Sequence, residues 1–320
     1  DVYNRHGTPC GTPDNPVGYE GKVSDSWDNF STKVSLRWAI NDNSNVYALY
    51  SEGFKAGGFQ QDARWLDALS RILDPEEATN FELGWKGSYD RIVFALTSFQ
   101  QEQTGVHTGN LVAVGSSQSN LLVNAKGVEN TGVELEATWA ATDNFTLGGT
   151  IATYDPEFKS GTIINGRQNA DGTIEGGEDV SGTMPSYNVD FAYYVFAEYV
   201  WEMAGGSSLR LRGDVKHRAE TWGLNGANNR AGRNLNDDGF MYLKPDITKP
   251  GFKVEWLSAS GNIDVSVWGR NLDDDPDPVN YGPPFGYLYR AGPGDPSVRA
   301  RASGVTGRRQ IGATFRYRFE

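Results

Sequence analysis

Between Ser186 and Trp201 the chain alternates almost without a break, and no other feature limits its fold so strongly. Tyr187, Val189, Phe191, Tyr193, Val195, Ala197, Tyr199 and Trp201 fall on one face of an extended strand. Asn188, Asp190 and Glu198 fall on the other, together with Tyr194 and Phe196. A period of two is the signature of a strand whose faces meet different surroundings. At about 3.3 Å per residue the segment predicts a strand roughly 50 Å long, far beyond the five or six residues usual in soluble sheets. Long strands with an aromatic face point to a membrane barrel.

The same period recurs along the chain. Val34, Leu36, Trp38 and Ile40 oppose Lys33, Ser35 and Arg37; Phe81, Leu83 and Trp85 oppose Asn80, Glu82 and Lys86. Val133, Leu135, Ala137 and Trp139 oppose Glu134, Glu136 and Thr138, while Leu209, Leu211 and Val215 oppose Arg210, Arg212, Asp214 and Lys216. Ile263, Val265 and Val267 oppose Asp264, Ser266 and Arg270, and Ile311, Ala313, Phe315, Tyr317 and Phe319 oppose Thr314, Arg316 and Arg318. Asn45 to Phe54, Arg91 to Gln103, Phe145 to Tyr154 and, less clearly, Gly239 to Leu257 add weaker candidates. Pro245 and Pro250 remove ladder donors from the last of these and predict a bulge, a break or a late start. About eleven strands follow.

Their connections alternate in length. Short turns are expected at Asn41 to Ser44, Tyr89 and Asp90, Ala141 to Asn144, Ala204 to Ser207, and Ser260 and Gly261. Long loops are expected at Lys55 to Glu77, Thr104 to Gly127, Asp155 to Pro185, Trp222 to Asp238 and Leu272 to Gly304. Outer-membrane barrels have short periplasmic turns and longer extracellular loops, so this parity places the C-terminus in the periplasm.

Composition removes several other classes. The longest unbroken apolar run, Phe191 to Ala197, is far short of the roughly 20 residues of a membrane helix, which excludes a helical membrane protein. A net charge of −12 supplies no general attraction to phosphate backbones, and no nucleic-acid partner is expected. Cys10 is the single cysteine and His6, His107 and His217 are scattered, so no zinc-ligand spacing exists; neither a metal nor a cofactor is expected. Asn169 to Asp179 invites a calcium reading, but position twelve counted from Asp171 is Gly182 instead of glutamate, which leaves a flexible acidic loop. Helical spacing is confined to Asp62 to Leu73, and Gly223 to Asn236 is too poor in apolar residues to fold alone. No positively charged start followed by an apolar core is visible, as expected of a mature chain or a fragment.

Five pieces of sequence then carry a family resemblance. They are Val46-Tyr-Ala-Leu-Tyr-Ser-Glu-Gly-Phe-Lys-Ala-Gly-Gly-Phe59, Glu76-Glu-Ala-Thr-Asn-Phe-Glu-Leu-Gly-Trp-Lys-Gly87, Gly132-Val-Glu-Leu-Glu136, Val267-Trp-Gly-Arg-Asn-Leu-Asp-Asp274 and Arg316-Tyr-Arg-Phe319. In this order they resemble the C-terminal barrel portion of TonB-dependent outer-membrane receptors. The resemblance implies an all-β fold, an antiparallel transmembrane β-barrel of which about eleven strands of twenty-two are present, as a half barrel without its plug. Residues 1–29 are then a loop or irregular segment of the upstream barrel, and residues 30–320 the C-terminal half. It also implies a bacterial outer-membrane receptor, not an enzyme, that imports a scarce nutrient chelate, foremost a ferric siderophore, with energy supplied by TonB through the plug. Outer-membrane lipid and the barrel-assembly machinery are its implied partners. The family's terminal aromatic is here followed by Glu320.

Within that frame, Glu82, Lys86, Glu134, Glu136, Asp190, Glu198, Arg210, Arg212, Asp214, Lys216, Asp264, Arg270, Arg316 and Arg318 are expected to face the lumen or the plug as mutually paired wall charges. Glu134 and Glu136, two apart on one face at about 7 Å, also match the separation of glycosidase carboxylates. Flat rings in the outer loops suit catecholate, corrin or sugar rings, which selects Phe59 and Trp65 in one loop and Tyr281, Phe285, Tyr287, Tyr289 and Arg290 in the last. The same aromatics fit a lipid-interface girdle. Arg290, Arg299, Arg301, Arg308 and Arg309 follow the acidic run Asp273, Asp274, Asp275 and Asp277, as forks for a ligand or as a solvated face. A soluble all-β carbohydrate-binding protein or glycosidase, and a passive porin, remain as alternatives.

Overall fold

The computed structural model describes residues 24–59, 72–114, 117–164, 167–168, 174–175, 178–222, 243–278, 281–282, 301–302 and 305–319. Its frame is one antiparallel sheet of eleven strands whose spatial order is the chain order. The strands are β1 (Lys33–Asn41), β2 (Ser44–Lys55), β3 (Glu76–Ser88), β4 (Ile92–Val114), β5 (Ser117–Ala140), β6 (Phe145–Phe158), β7 (Phe191–Glu202), β8 (Ser208–Arg218), β9 (Ile247–Leu257), β10 (Ile263–Arg270) and β11 (Gln310–Tyr317). Tight turns join β1 to β2, β3 to β4, β5 to β6, β7 to β8 and β9 to β10 at one end, and the long connections gather at the other. This is the alternation expected from the sequence except between β4 and β5, which stay paired out to Val114 and Ser117 instead of being joined by a long loop.

Registers fix the faces. Val195 pairs with Val215, Leu211 with Val254, Val254 with Val267 and Val267 with Ala313, so the apolar residues of β7 to β11 share one face. Glu198 pairs with Arg212, Arg212 with Lys253, Arg210 with Glu255 and Asp264 with Arg316 on the opposite face. Such a slab has no core of its own. Leu73, Val123, Ala125, Phe158, Ile164 and Val180 are buried, and all lie at the long-loop end, whereas Leu36, Trp38, Leu83, Trp85, Trp201 and Phe315 are exposed on the apolar face. A soluble sandwich buries its apolar face against a second sheet; among the described residues no second sheet covers this one.

Glycine and aromatic residues face each other repeatedly across the ladder. Gly84 opposes Tyr47, Gly132 Phe99, Gly148 Phe196 and Gly312 Trp268, all on the charged face. Each ring lies where a side chain on the glycine would stand: a Cβ on Gly148 would come within 2.7 Å of the Phe196 ring. The pairing fills the space over a bare backbone with a flat side chain.

Four expectations change. The strand anticipated from Ser186 begins at Phe191 and runs to Glu202, roughly 40 Å at about 3.3 Å per residue. Tyr187 stands at φ 62 in a turn closed by the Asn188 N–H donating to the Pro185 carbonyl, so the alternation of residues 186–190 is not that of a strand. Asp190, expected inside the strand, lies in the bend just before β7, where its carbonyl accepts the Tyr154 N–H at 2.8 Å. Thr104 to Gly127 is no loop: β4 and β5 stay paired out to Val114 and Ser117, while β3 is paired with β4 only as far as Thr104 and β6 with β5 only as far as Val128. Gly105, at φ +66, begins this two-stranded extension, and a Cβ there would lie 2.7 Å from the Pro75 carbonyl oxygen. Ile72 and Leu73, counted with the helical pattern, pair with Phe59 and Gly58 as a short bridge, and residues 62–71 lie outside the described residues. β9 begins at Ile247, after Pro245, and accommodates Pro250.

The sheet is open. Among the described residues β1 pairs with β2 alone and β11 with β10 alone. Both being odd-numbered, they run in the same direction, so closing eleven strands on themselves would need a parallel seam, whereas bacterial single-chain barrels use even numbers of antiparallel strands.

Candidate functional site

On β7 to β11 the charged face is an ion-pair ladder. Arg212 Nη1 donates to Glu198 Oε2 at 3.2 Å and its Nη2 to the Tyr194 hydroxyl at 3.1 Å. Arg210 lies between two carboxylates, 3.5 Å from Glu198 and 3.3 Å from Glu255. Lys253 also pairs with Glu255, and Arg316 Nη1 donates to Asp264 Oδ2 at 3.0 Å. Aromatic rings are interleaved: the Arg212 guanidinium lies 3.7 Å from the Phe196 ring centre, and that of Arg270 5.2 Å from the Trp268 ring centre. The Trp268 indole N–H donates to Thr314 at 3.4 Å.

The wall formed by β2 to β6 is more acidic. Glu82 accepts the Asn80 amide at 2.7 Å and, at 3.5 Å, the Tyr47 hydroxyl, and Lys86 lies over the Tyr47 ring. Glu134 accepts the Tyr154 hydroxyl at 2.8 Å. Glu134 and Glu136 share the face, opposite Thr97 and Ala95 on β4. Of the residues anticipated on this side of the sheet, Arg318 lies just past β11, where its side chain donates to the Gly261 carbonyl at the turn.

Three polar knots organise the long-loop end. Glu76, 6% exposed at the outer end of β3, accepts hydrogen bonds from Lys55 Nζ, from the Gln103 amide at 2.6 Å and from the His107 backbone N–H at 2.9 Å. Burial pushes its carboxyl up, but those donors outweigh burial and hold it below the ordinary 4.5. His107 Nε2 lies 2.7 Å from the Asp74 carbonyl oxygen, and the Asn124 amide donates to the same oxygen and to that of Gly105. The second knot gathers Lys244 at 2.8 Å, Arg218 at 3.8 Å and Lys249 at 3.9 Å around Asp277; burial raises its carboxyl, and the cations, Lys244 foremost, bring it below its ordinary value. The third is Asn271, which ends β10 at φ 50, a conformation asparagine tolerates. Its side chain donates to the Asp275 and Gly307 carbonyls and accepts the Asp275 N–H, while Asp274 pairs with Arg308 and accepts the Arg309 N–H.

Glu76 gives a pH prediction with a definite sign. A folded carboxyl below its ordinary value contributes stability that is complete above pH 4.5 and is lost as pH falls through the lowered value. Glu76→Gln keeps an acceptor and removes the charge. Hydrogen exchange around Gln103 to His107 should quicken by a factor matching about 1 kcal/mol at neutral pH, discounted because Lys55 is largely exposed. The difference from the unmodified protein should shrink on acidification below pH 4; a difference that grows there contradicts the assignment.

The loop candidates fall unevenly. Phe59 is exposed, its ring 5.8 Å from that of Trp27, a neighbour no sequence pattern singled out. Tyr281 pairs with Ala302 in a two-residue bridge. Trp65, Phe285, Tyr287, Tyr289, Arg290, Arg299 and Cys10, with Gly223 to Asn236 and most of the acidic loop at 169–179, lie outside the described residues. Sequence reading missed Trp268 and Tyr47 as charged-face aromatics; the signal was an aromatic in register with charges and opposite a glycine. Among the described residues no three of His, Cys, Asp and Glu are grouped to hold a metal ion.

A family model described as TonB dependent receptor-like, beta-barrel, matches residues 3–272. The pesticin receptor of Yersinia pestis is 29% identical over 136 residues, 42% of this chain and 18% of that protein. The ferripyoverdine receptor of Pseudomonas aeruginosa is 35% identical over 60 residues, 19% of this chain and 7% of that protein. Among solved structures, the ferric yersiniabactin uptake receptor of Yersinia pestis superposes with a TM-score of 0.63 at 18% identity, over 90% of this chain and 37% of that one. The likeness at that identity is one of fold, and the chain spans little more than a third of that receptor's length.

Proposed function

We propose that this chain, which belongs to the TonB-dependent receptor family of outer-membrane β-barrels, forms the C-terminal half of an importer for a ferric siderophore. Residues 30–320 supply eleven of its strands. The apolar face meets lipid, the charged face lines the lumen against a plug, and the long-loop end receives the ligand outside the cell. Energy reaches the site through TonB acting on the plug. The observation that carries this reading is the continuous meander with one apolar and one ion-paired face and every long connection at the same end. A passive porin would need no plug, whereas a wall of cross-strand ion pairs and lumen aromatics suits a filled barrel. Family members are receptors and transporters, not enzymes, so the glycosidase reading of Glu134 and Glu136 is set aside.

Phe59 and the segment from Tyr281 to Arg290 are assigned to ligand contact, with Trp65. The test is uptake of iron-55 by a host strain lacking the complete receptor gene, supplied with ferric siderophores from its own spent medium. The intact gene should restore uptake, a version lacking Tyr281 to Arg290 should restore less than a tenth of it at equal barrel abundance, and loss of TonB should remove it. Uptake independent of the gene or of TonB contradicts the proposal, and full uptake by the shortened version removes that loop from the site.

A further inference from the structure

Beyond Thr104 and Gly127 the hairpin of β4 and β5 loses both neighbouring strands and continues as a two-stranded arm. The leg that returns from the first long connection to β3 crosses the base of this arm. Asn124 of β5 treats Asp74 on that leg as a strand neighbour would: its Oδ1 accepts the Asp74 N–H at 3.0 Å, and its amide nitrogen donates to the Asp74 carbonyl at 2.8 Å. One side chain thereby satisfies both backbone groups of a residue outside the strands. His107, directly across the ladder from Asn124, places Nε2 2.7 Å from the same carbonyl oxygen. Gly105 lets the leg come this near, since a Cβ there would stand 2.7 Å from the Pro75 carbonyl oxygen. Before Asp74 the leg is Ile72 and Leu73, which pair with Phe59 and Gly58, and Leu73 is buried.

These ties run from the arm through Asp74 to the bridge that carries Phe59. The join between arm and barrel is thinner. Pairing between β4 and β5 skips Gly105 and Lys126, and Gly105 stands at φ +66 in the middle of an otherwise extended strand. The Glu76 carboxylate, which accepts the His107 N–H, is the fastening across that joint. We propose that the β4–β5 arm and the loop bearing Phe59 are one moving part, coupled by Asn124 and Asp74, pivoting at Gly105 and held to the barrel by Glu76. Coupling of this kind is reciprocal, so whatever orders the arm orders the Phe59 bridge, and the reverse holds equally. The coupling stands apart from the importer reading; its consequence for ligand contact at Phe59 rests on that reading.

The test is hydrogen exchange of the complete receptor in detergent, with no solute present. Asn124→Ala should speed exchange about fivefold, the worth of one hydrogen bond, in the Phe59 and Ile72 bridge as well as in the arm. Leu73→Ala, on the other side of the join, should speed exchange of the arm from Val106 to Val114. The double variant should loosen the bridge by less than the product of the two single effects, as for two changes to one join. Strand β7 around Val195 serves as the reference for an intact barrel and should be unchanged in all three. An Asn124→Ala effect that leaves the bridge unchanged overturns the proposal, as does a Leu73→Ala effect that leaves the arm unchanged. Single effects that simply multiply overturn it too, and equal loosening of β7 assigns the effect to the barrel as a whole and has the same result. The readout contains no siderophore and no uptake, so the importer reading and this one fail independently.

Discussion

Val195→Arg is expected to deplete assembled barrel strongly, and Glu198→Gln, three residues along the same strand, to leave it nearly unchanged. Val195 lies in the middle of β7, paired with Gly149 and Val215, and is 37% exposed on the apolar face. Arginine at the bilayer midplane on the lipid face costs about 2–4 kcal/mol, or roughly thirtyfold to a thousandfold in the folded population. Glu198 points the other way, between Arg210 and Arg212. Glutamine keeps its acceptor oxygen, and a partly exposed ion pair of this kind contributes on the order of 1 kcal/mol or less. Heat-modifiable mobility of the complete protein in extracted membranes reports the folded fraction. Equal loss in both variants, or greater loss for Glu198→Gln, would reverse the faces and with them the whole register.

The faces were legible because two different surroundings impose opposite demands on alternate residues. Wherever both demands act, as at Val133 to Trp139 or Ile263 to Arg270, period alone placed the strand. Where they cease, period misled in both directions. Residues 105–114 and 117–126 form a paired extension beyond the neighbouring strands, and with no sustained alternation to mark them they read as a loop. Tyr187 to Asp190 alternate by chance in a turn whose backbone is set by Tyr187 at φ 62. Glu76 was visible in the sequence, but its partners come from Lys55, Gln103 and His107, and a knot assembled from three strands has no local signature. Asn271 belonged to a recognised segment, yet its role as the pin of the last loop depends on Gly307, 36 residues on. Among the charged-face aromatics, Trp268 and Phe196 became meaningful when the register set them over Gly312 and Gly148.

Edge-to-edge distance is the second large effect and bears most directly on the claim that this chain is half of a wide barrel. Unpaired edge groups in hydrocarbon cost several kcal/mol each, so β1 and β11 need partners. If the rest of the receptor supplies them, β1 and β11 stand on opposite sides of the barrel. A twenty-two-strand barrel with strands about 4.8 Å apart and tilted about 40° has a diameter of roughly 40 Å. Leu36 and Ala313 lie on the apolar faces of β1 and β11, near the middle of each strand. The measurement is the spin-label distance between Leu36→Cys and Ala313→Cys in the complete receptor, with Cys10→Ser as background. The account predicts a distribution centred near 40 Å; a distance of about 10 Å, as between neighbouring strands of a closed eleven-strand barrel, would contradict it.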